Sequence, residues 1–424
     1  MTDRAGVALR RAASEIPLLV VCALFLSTGA DILPPDSLVS VGQVKLDLAR
    51  ILLIAGFAAL AFTSRAPRRE LFATGLAAPL ALLAATGLAA TLRWDGSEPR
   101  YRFLLEGIAL LYLTHATLRA RAEARTAVVA AALVAVVVAS LGGLEQVSQG
   151  FATGFYRDGC RPLTVAPPLV PEGTLTRATG SFANPNELAA YVLLLGPLAA
   201  VAVASAFSGW AVRVAAGLTV ALAYLALVFT FSRTGVLIAV LAAGAAALTS
   251  RTPRRLHLAG VAAALALVGF VLLGACGAEG AAGFGRTQEW EETMHVIRDH
   301  PLFGVGLGRL GDVLQLRDAL STSRHAHNLF LNWWAEAGPL ALIAWVWLFA
   351  ALIRRGLRAA RSGDALGRGA LVALAGFGAY SMFDHPANAD RIGLALWGAM
   401  GVAAALPHAP LAAAVRLRRR ATGA

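Results

Sequence analysis

Two histidines near the start of a long apolar segment, His325 and His327, are well suited to acid–base chemistry. A neutral imidazole accepts a proton near neutral pH, and the positive end of a helix disfavours the charged ring. Because His327 is predicted in the first turn of a helix, we expect a neutral ring that can deprotonate a hydroxyl group. The pair could also bind a metal ion, but no carboxylate or cysteine lies at ligand spacing, so we predict no metal. Three other histidines are predicted to be solvated: His257, His385 and His408.

The composition indicates that membrane-spanning helices position these residues. The chain is 58% hydrophobic and 15% charged, more apolar than a soluble core of this length requires. Twelve apolar segments come near the ~20 residues that cross a bilayer. In chain order they are 16–33, 46–62, 71–92, 103–118, 126–147, 187–206, 212–231, 234–248, 256–276, 328–353, 369–383 and 392–406. We therefore predict one all-α integral membrane domain over residues 1–424 with about 12 transmembrane helices, the first of them uncleaved.

The distribution of arginine predicts the orientation of these helices. Of 37 basic residues all but Lys45 are arginine, and the formal net charge is +12. The arginines cluster in alternate short loops, which indicates topology signals rather than a nucleic-acid surface and predicts that both termini are cytoplasmic. Two long segments then lie on the outer side, 148–186 and the main loop 277–327. The main loop is predicted to be helical and to carry the site.

Four arginines of the outer side are candidates for binding an anion. For any one of them, an ion pair with a nearby carboxylate is the ordinary alternative. Guanidinium groups also hold phosphate oxygens bidentately and stay charged at every accessible pH. Arg233 is the strongest candidate, because it lies between two predicted spans with almost no linker, where an unpaired charge is costly. The four are Arg161, Arg177, Arg233 and Arg286.

Four short motifs follow one another in the second half of the chain. Arg177–Ala189 contains Gly-x-Phe-x-Asn-Pro-Asn, and Phe231–Gly235 contains Ser-Arg. Next, Arg286 is followed four residues later by tryptophan and then by His-Pro-Leu-Phe-Gly-Val-Gly, and residues 327–331 read His-Asn-x-x-Leu. This order resembles the bacterial O-antigen ligase and polymerase superfamily. Asn184, Pro185 and Asn186 are also ordinary helix-start residues.

The resemblance implies a GT-C-like glycosyltransferase of the bacterial inner membrane. It implies transfer of O-antigen from undecaprenyl pyrophosphate to a sugar hydroxyl of lipid A-core at the periplasmic face, with membrane lipids around the protein and no cofactor. His327 would be the general base, and Arg286 and Arg233 would be catalytic. Substrate contacts are assigned to Arg161, Arg177, His325, Asn328, Trp290 and Asn184.

The absence of other motifs favours a reaction without a metal ion. In the sequence, no pair of carboxylates stands out as it would for glycoside hydrolysis. An Asp-x-Asp string, which would indicate a metal ion that holds a sugar diphosphate, is also missing. A pyrophosphate leaves without protonation if its developing charge is stabilised, and arginines can supply that stabilisation. We therefore predict a metal-independent single displacement with inversion at the anomeric carbon.

Other functions remain open from the sequence. An O-antigen polymerase would use a second lipid-linked chain as acceptor, and a protein O-oligosaccharyltransferase would use a Ser or Thr side chain. A lipid-linked sugar flippase would place charged residues within spans on both sides of the midplane. The sequence instead gathers its candidates on one side and contains no repeat, which favours the ligase over the flippase.

Two of the three cysteines, Cys160 and Cys276, are predicted near the oxidising outer face. A disulfide between them is a hypothesis based on this location.

Overall fold

The protein is described by a computed structural model that covers residues 2–30, 39–41, 44–63, 72–121, 123–149, 164–165, 175–205, 209–248, 282–317 and 325–407. Several predictions lie outside these described residues: those for Cys160, Arg161, His257, Cys276, His408 and the apolar segment 256–276.

Helices form nearly all of the described structure. They are α1 Thr2–Ala30, α2 Leu48–Thr63, α3 Ala77–Arg93, α4 Glu98–Ala120, α5 Ala124–Gln149, α6 Pro185–Ser205, α7 Trp210–Phe229, α8 Arg233–Leu248, α9 Ala282–Asp299, α10 Leu310–Arg317, α11 Leu329–Ala337, α12 Pro339–Arg361, α13 Ala365–Tyr380 and α14 Asp390–Ala404, with a 3-10 turn at Pro386–Asn388. Two small antiparallel pairs accompany them: β1 Val39–Val41 with β2 Val44–Leu46, and β3 Thr164–Val165 with β4 Leu175–Thr176.

Helix α6 lies at the centre of the bundle. Its sequence is apolar on every face, and residues 188–195 are all buried, as expected for a helix surrounded by others. It packs against α5, α7 and α13. Helix α14 is buried in the same way and packs mainly against α4 and α1. These two helices bring the beginning of α6 and the loop before α14 into one region.

The described helices have the character of a multi-pass membrane protein. Five of them are long and apolar enough to cross a bilayer: Ala12–Ala30, Ala124–Gln149, Pro185–Val203, Trp210–Phe229 and Pro339–Arg361. Shorter apolar helices are Leu48–Thr63, Ala77–Arg93, Arg233–Ala242 and Ala365–Tyr380. Large apolar side chains such as Trp210 and Leu218 are exposed on α7, as lipid contact requires. The predicted all-α membrane class is confirmed, whereas the count of twelve spans is not.

The predicted single helix over 328–353 is wrong. The chain forms α11, breaks at Gly338 and continues as α12. Gly338 has φ +84°, and a Cβ there would lie 2.0 Å from the carbonyl oxygen of Leu302. The break therefore exists because a neighbouring turn packs directly on the backbone, at a place where only glycine fits.

That neighbouring turn is the motif His-Pro-Leu-Phe-Gly-Val-Gly at 300–306. Val305 N–H donates to the carbonyl of Ala335 at 2.9 Å, and Gly306 N–H donates to that of Glu336 at 3.0 Å. Gly304 has φ +63°, and a Cβ there would lie 2.5 Å from the carbonyl oxygen of Ala335. These bonds satisfy carbonyls at the end of α11, so the motif holds the main loop against the helix that follows the histidines.

Candidate active site

The centre of the site is a hydrogen bond between His327 and a residue far away in sequence, Asp384. His327 Nδ1 lies 3.1 Å from Asp384 Oδ1, and Asp384 is buried. An ionised carboxylate can only accept, so Nδ1 carries the proton in this bond, and in the neutral ring Nε2 keeps its lone pair. On the other side of the ring, Nε2 lies 3.6 Å from Glu289 Oε2. The imidazole of His327 is therefore held between the carboxylates of Asp384 and Glu289.

The backbone around His327 fixes the direction of its ring. His327 has φ +44°, a left-handed conformation that is uncommon for any residue other than glycine. It directly precedes Asn328, whose Oδ1 caps α11 by accepting from the N–H groups of Phe330 and Leu331. Asn328 Nδ2 also donates to the carbonyl of Met382 at 3.0 Å. Through these hydrogen bonds, the Asn328 side chain holds the loop before α11 against the loop before α14.

The charges around His327 overturn one prediction from the sequence. His327 lies before the helix, not in its first turn. Burial alone would lower its pKa, but the hydrogen bond and charge of Asp384, together with the charge of Glu289, raise the pKa of His327 above its usual value. Burial alone would raise the pKa of Asp384, but the bond to His327 holds it below its usual range. The raised pKa makes the ring of His327 a stronger base than a free histidine. The sequence had instead predicted that a helix end keeps this ring neutral.

Two further imidazoles surround the dyad. The ring of His325 lies 4.2 Å from that of His327, and its Nδ1 accepts the backbone N–H of His327 at 3.2 Å. Burial, together with the charge of His327, lowers the pKa of His325 to about 4. The prediction that His385 is solvated is wrong: it is buried, its ring lies 5.8 Å from that of His325, and burial holds its pKa well below the usual value. Both rings are therefore neutral.

The three groups His325, His327 and Asp384 also satisfy the spacing of metal ligands, since their donor atoms all lie within 4.8 Å of one another. The sequence argument that no carboxylate accompanies the histidines is thus corrected by the fold. In this set, however, Nδ1 of His327 and Oδ1 of Asp384 are bonded to each other, and a metal ion would have to replace that bond.

Two of the predicted arginines lie near this dyad, and Tyr380 connects them. Arg177 and Arg286 are each within electrostatic range of Tyr380, and so is Asp384. Arg286 also acts on His327. Arg177 Nε donates to the carbonyl of Thr230 at 2.8 Å, which leaves its two NH2 groups for other partners. Arg286 thus acts on both His327 and Tyr380, and Arg177 adds positive charge on the side of Tyr380.

Arg233 lies close to Tyr380 because the residue before it, Ser232, contacts that tyrosine. Tyr380 Oη lies 3.2 Å from Ser232 Oγ and donates to the carbonyl of Asn186 at 3.1 Å. Arg233 follows Ser232 directly, begins α8 and is exposed. Among the described residues, no hydrogen bond or ion pair involves its side chain.

Two other predicted substrate contacts have roles in local structure. Asn184 Oδ1 accepts the N–H of Asn186 at 2.8 Å at the start of α6, and the Glu187 carboxylate accepts from the backbone of Asn184, as in a capping box. Trp290 is half-buried in α9, and within the described part of the chain its Nε1 has no hydrogen-bond partner. Their contacts with substrate stay predictions.

Sequence reasoning missed Asp384 and the role of Glu289. The available signal was position: Asp384 and His385 follow the predicted span 369–383, whose end lies on the same side as the motifs under the predicted topology. Glu289 lies one turn after Arg286 on α9, so both side chains share one helix face.

These features describe a membrane protein in which a hydrogen-bonded histidine–aspartate pair, His327 and Asp384, lies within electrostatic range of a guanidinium group, that of Arg286. Residues 218–346 match the family model for O-antigen ligase, which supports the resemblance to the O-antigen ligase and polymerase superfamily. The matched segment contains Arg233, Arg286, Trp290, His325 and His327 and ends before Asp384. No curated protein matches this sequence.

Proposed function

We propose that the protein is an O-antigen ligase that transfers O-antigen from undecaprenyl pyrophosphate to a sugar hydroxyl of lipid A-core at the periplasmic face of the inner membrane. The observation that carries this proposal is the His327–Asp384 hydrogen bond of 3.1 Å beside Arg286 and Arg177. It combines a base for a hydroxyl nucleophile with positive charge for a departing diphosphate.

In the proposed reaction, His327 Nε2 removes the proton of the acceptor hydroxyl as its oxygen attacks the anomeric carbon. The bond from that carbon to the pyrophosphate oxygen breaks, and undecaprenyl pyrophosphate leaves with the bonding electrons. Attack from the face opposite the leaving group inverts the anomeric configuration. Asp384 and Glu289 stabilise the imidazolium that forms, as a carboxylate does for a catalytic histidine in hydrolases.

The guanidinium groups of Arg286, Arg177 and Arg233 are assigned to the pyrophosphate, with Arg161 as a further contact. Fixed positive charge stabilises the charge that develops on the leaving group and takes the place of a metal ion. A metal-independent reaction is favoured because Asp384 Oδ1 is already used to orient His327. Trp290, His325 and Asn328 border the site and are proposed to shape it.

The test is a transfer assay with purified protein, lipid-linked O-antigen and lipid A-core, run with and without EDTA. We expect transfer in both conditions, and none by His327→Ala. Parallel reactions offer a second lipid-linked chain or a Ser-containing peptide as acceptor. Product formed only with one of these would replace the ligase with a polymerase or a protein glycosyltransferase, and loss of activity in EDTA would assign His325, His327 and Asp384 to a metal ion.

A further inference from the structure

Hydrogen bonds join a glutamine near the end of α5 to the short segment that follows Arg177. The glutamine, Gln146, is buried. Its Oε1 accepts the backbone N–H groups of Thr179 at 2.8 Å and of Gly180 at 2.9 Å. Its amide also exchanges hydrogen bonds with the Thr179 hydroxyl, at 2.7 Å and 3.0 Å. One side chain therefore fixes two consecutive residues of this segment against α5.

Two glycines let the segment come close enough for these bonds. Gly143 lies one turn before Gln146 on α5, and a Cβ there would lie 3.2 Å from the Cβ of Ala178. Gly180 has φ +59°, and a Cβ there would lie 2.4 Å from the carbonyl oxygen of Ala139, on the same face of α5. This face of α5 is therefore shaped to hold one partner, the segment that Gln146 binds.

Arg177 is bonded on its other side to the end of α7. Its Nε donates to the carbonyl of Thr230 at 2.8 Å, and the N–H of the next residue, Ala178, donates to the carbonyl of Phe229 at 2.9 Å. Gln146 and the end of α7 thus hold the chain around Arg177 from two sides. The direction of the Arg177 guanidinium depends on both contacts.

We propose that Gln146 is a positioning residue, which holds the guanidinium of Arg177 where it binds the pyrophosphate of the lipid-linked donor. The inference rests on the proposed function, in which Arg177 contacts that pyrophosphate. A displacement of about 1 Å caused far from the reacting atoms costs on the order of 10²-fold in rate, so a side chain that does not touch the substrate controls its use. Gln146 lies outside the segment 218–346 that matches the family model.

Binding of undecaprenyl pyrophosphate tests the proposal without catalysis. Purified protein is titrated with this lipid in detergent micelles, and binding is followed by calorimetry. Arg177→Gln should weaken binding by about 10- to 100-fold, as expected for the loss of hydrogen bonds from a charged group. Gln146→Met keeps the length of the side chain but removes its amide, so it should weaken binding by about tenfold. Gln149→Met, at an exposed position of the same helix, should not.

The double variant separates positioning from a general effect on structure. If Gln146 acts through Arg177, then Gln146→Met should weaken binding no further once Arg177→Gln is present. Gln146→Glu keeps an oxygen that accepts both backbone N–H groups, so it should retain most of the wild-type affinity. Losses that multiply in the double variant would overturn the proposal, as would wild-type affinity in folded Gln146→Met.

A milder variant replaces Gln146→Met if that protein does not fold. Thr179→Val keeps both backbone donors to Oε1 and loses only the hydroxyl, so thermal unfolding should stay cooperative. Its binding should weaken in the presence of Arg177 and not in Arg177→Gln, and unchanged affinity would overturn the proposal. Failure of the wild-type protein to bind the lipid would overturn both this inference and the assigned donor. The expected pattern of binding without product in the transfer assay would contradict the proposed function and support this inference.

Discussion

The loop pair that carries His327 and Asp384 differs from the motifs that begin α6 and α8 in how polar side chains are used. In the loop pair, imidazoles and carboxylates are buried together, and each changes the proton affinity of the others. In the motifs, Asn184 caps a helix and Ser232 binds Tyr380. The difference teaches that the polar side chains Asn184 and Ser232 hold local structure, whereas the groups that alter one another's proton affinity are gathered where two distant loops meet.

The largest expected effect is on transfer by His327→Ala. General-base catalysis contributes about 10²- to 10⁴-fold, so the rate should fall by that factor while the protein stays folded. The matched control is His295→Ala, an exposed histidine of α9, which should transfer normally. Equal rates for the two variants in the lipid A-core assay would remove His327 from the chemistry.

Arg286→Gln is expected to have the next largest effect. Loss of one group that stabilises developing charge typically costs about 10²- to 10³-fold in turnover. Arg298→Gln, on an exposed position of the same helix, provides the control for a change of net charge. If both variants lose activity in parallel, Arg286 acts only through the overall potential, and the proposed contact with pyrophosphate is wrong.

Glu289→Gln should change the pH dependence more than the maximum rate. The Glu289 charge helps to raise the pKa of His327, so its removal lowers that pKa. Because the base must be neutral, the acidic limb of the rate profile should move to lower pH. Glu291→Gln, at an exposed position, should leave the profile in place. A limb that moves to higher pH would contradict the assigned electrostatics.

The smallest expected effect belongs to Asn328, whose side chain caps α11. Asn328→Ala should lower stability by about 1 kcal/mol, measured as thermal unfolding, because two backbone N–H groups lose their acceptor. Asn328→Asp keeps that acceptor and loses only the donor to Met382, so it should recover most of the stability. A large loss of transfer without loss of stability would instead support the predicted contact with substrate.

The all-α membrane class could be predicted from the sequence because the length of an apolar segment is a local property; the orientation inferred from the arginines stays a prediction. The His-Asn motif, Arg286 and Arg177 could be singled out in the same way, since each belongs to a short recognisable string, and their roles in catalysis stay predictions. Asp384 could not be found by spacing, because it reaches His327 only through the packing of α13 and the tether from Asn328 to Met382. The break at Gly338 was hidden for a similar reason: it depends on the turn at Leu302, which is distant in sequence.

The most direct test of the dyad compares the pH profile of kcat/KM for wild-type protein and Asp384→Asn. In the wild type, the acidic limb should reflect a His327 pKa above its usual value of about 6.5. Without the Asp384 charge this pKa falls, so the limb should move to lower pH while the maximum rate drops because the ring loses its orientation. Unchanged profiles and rates in a folded Asp384→Asn protein would contradict the account.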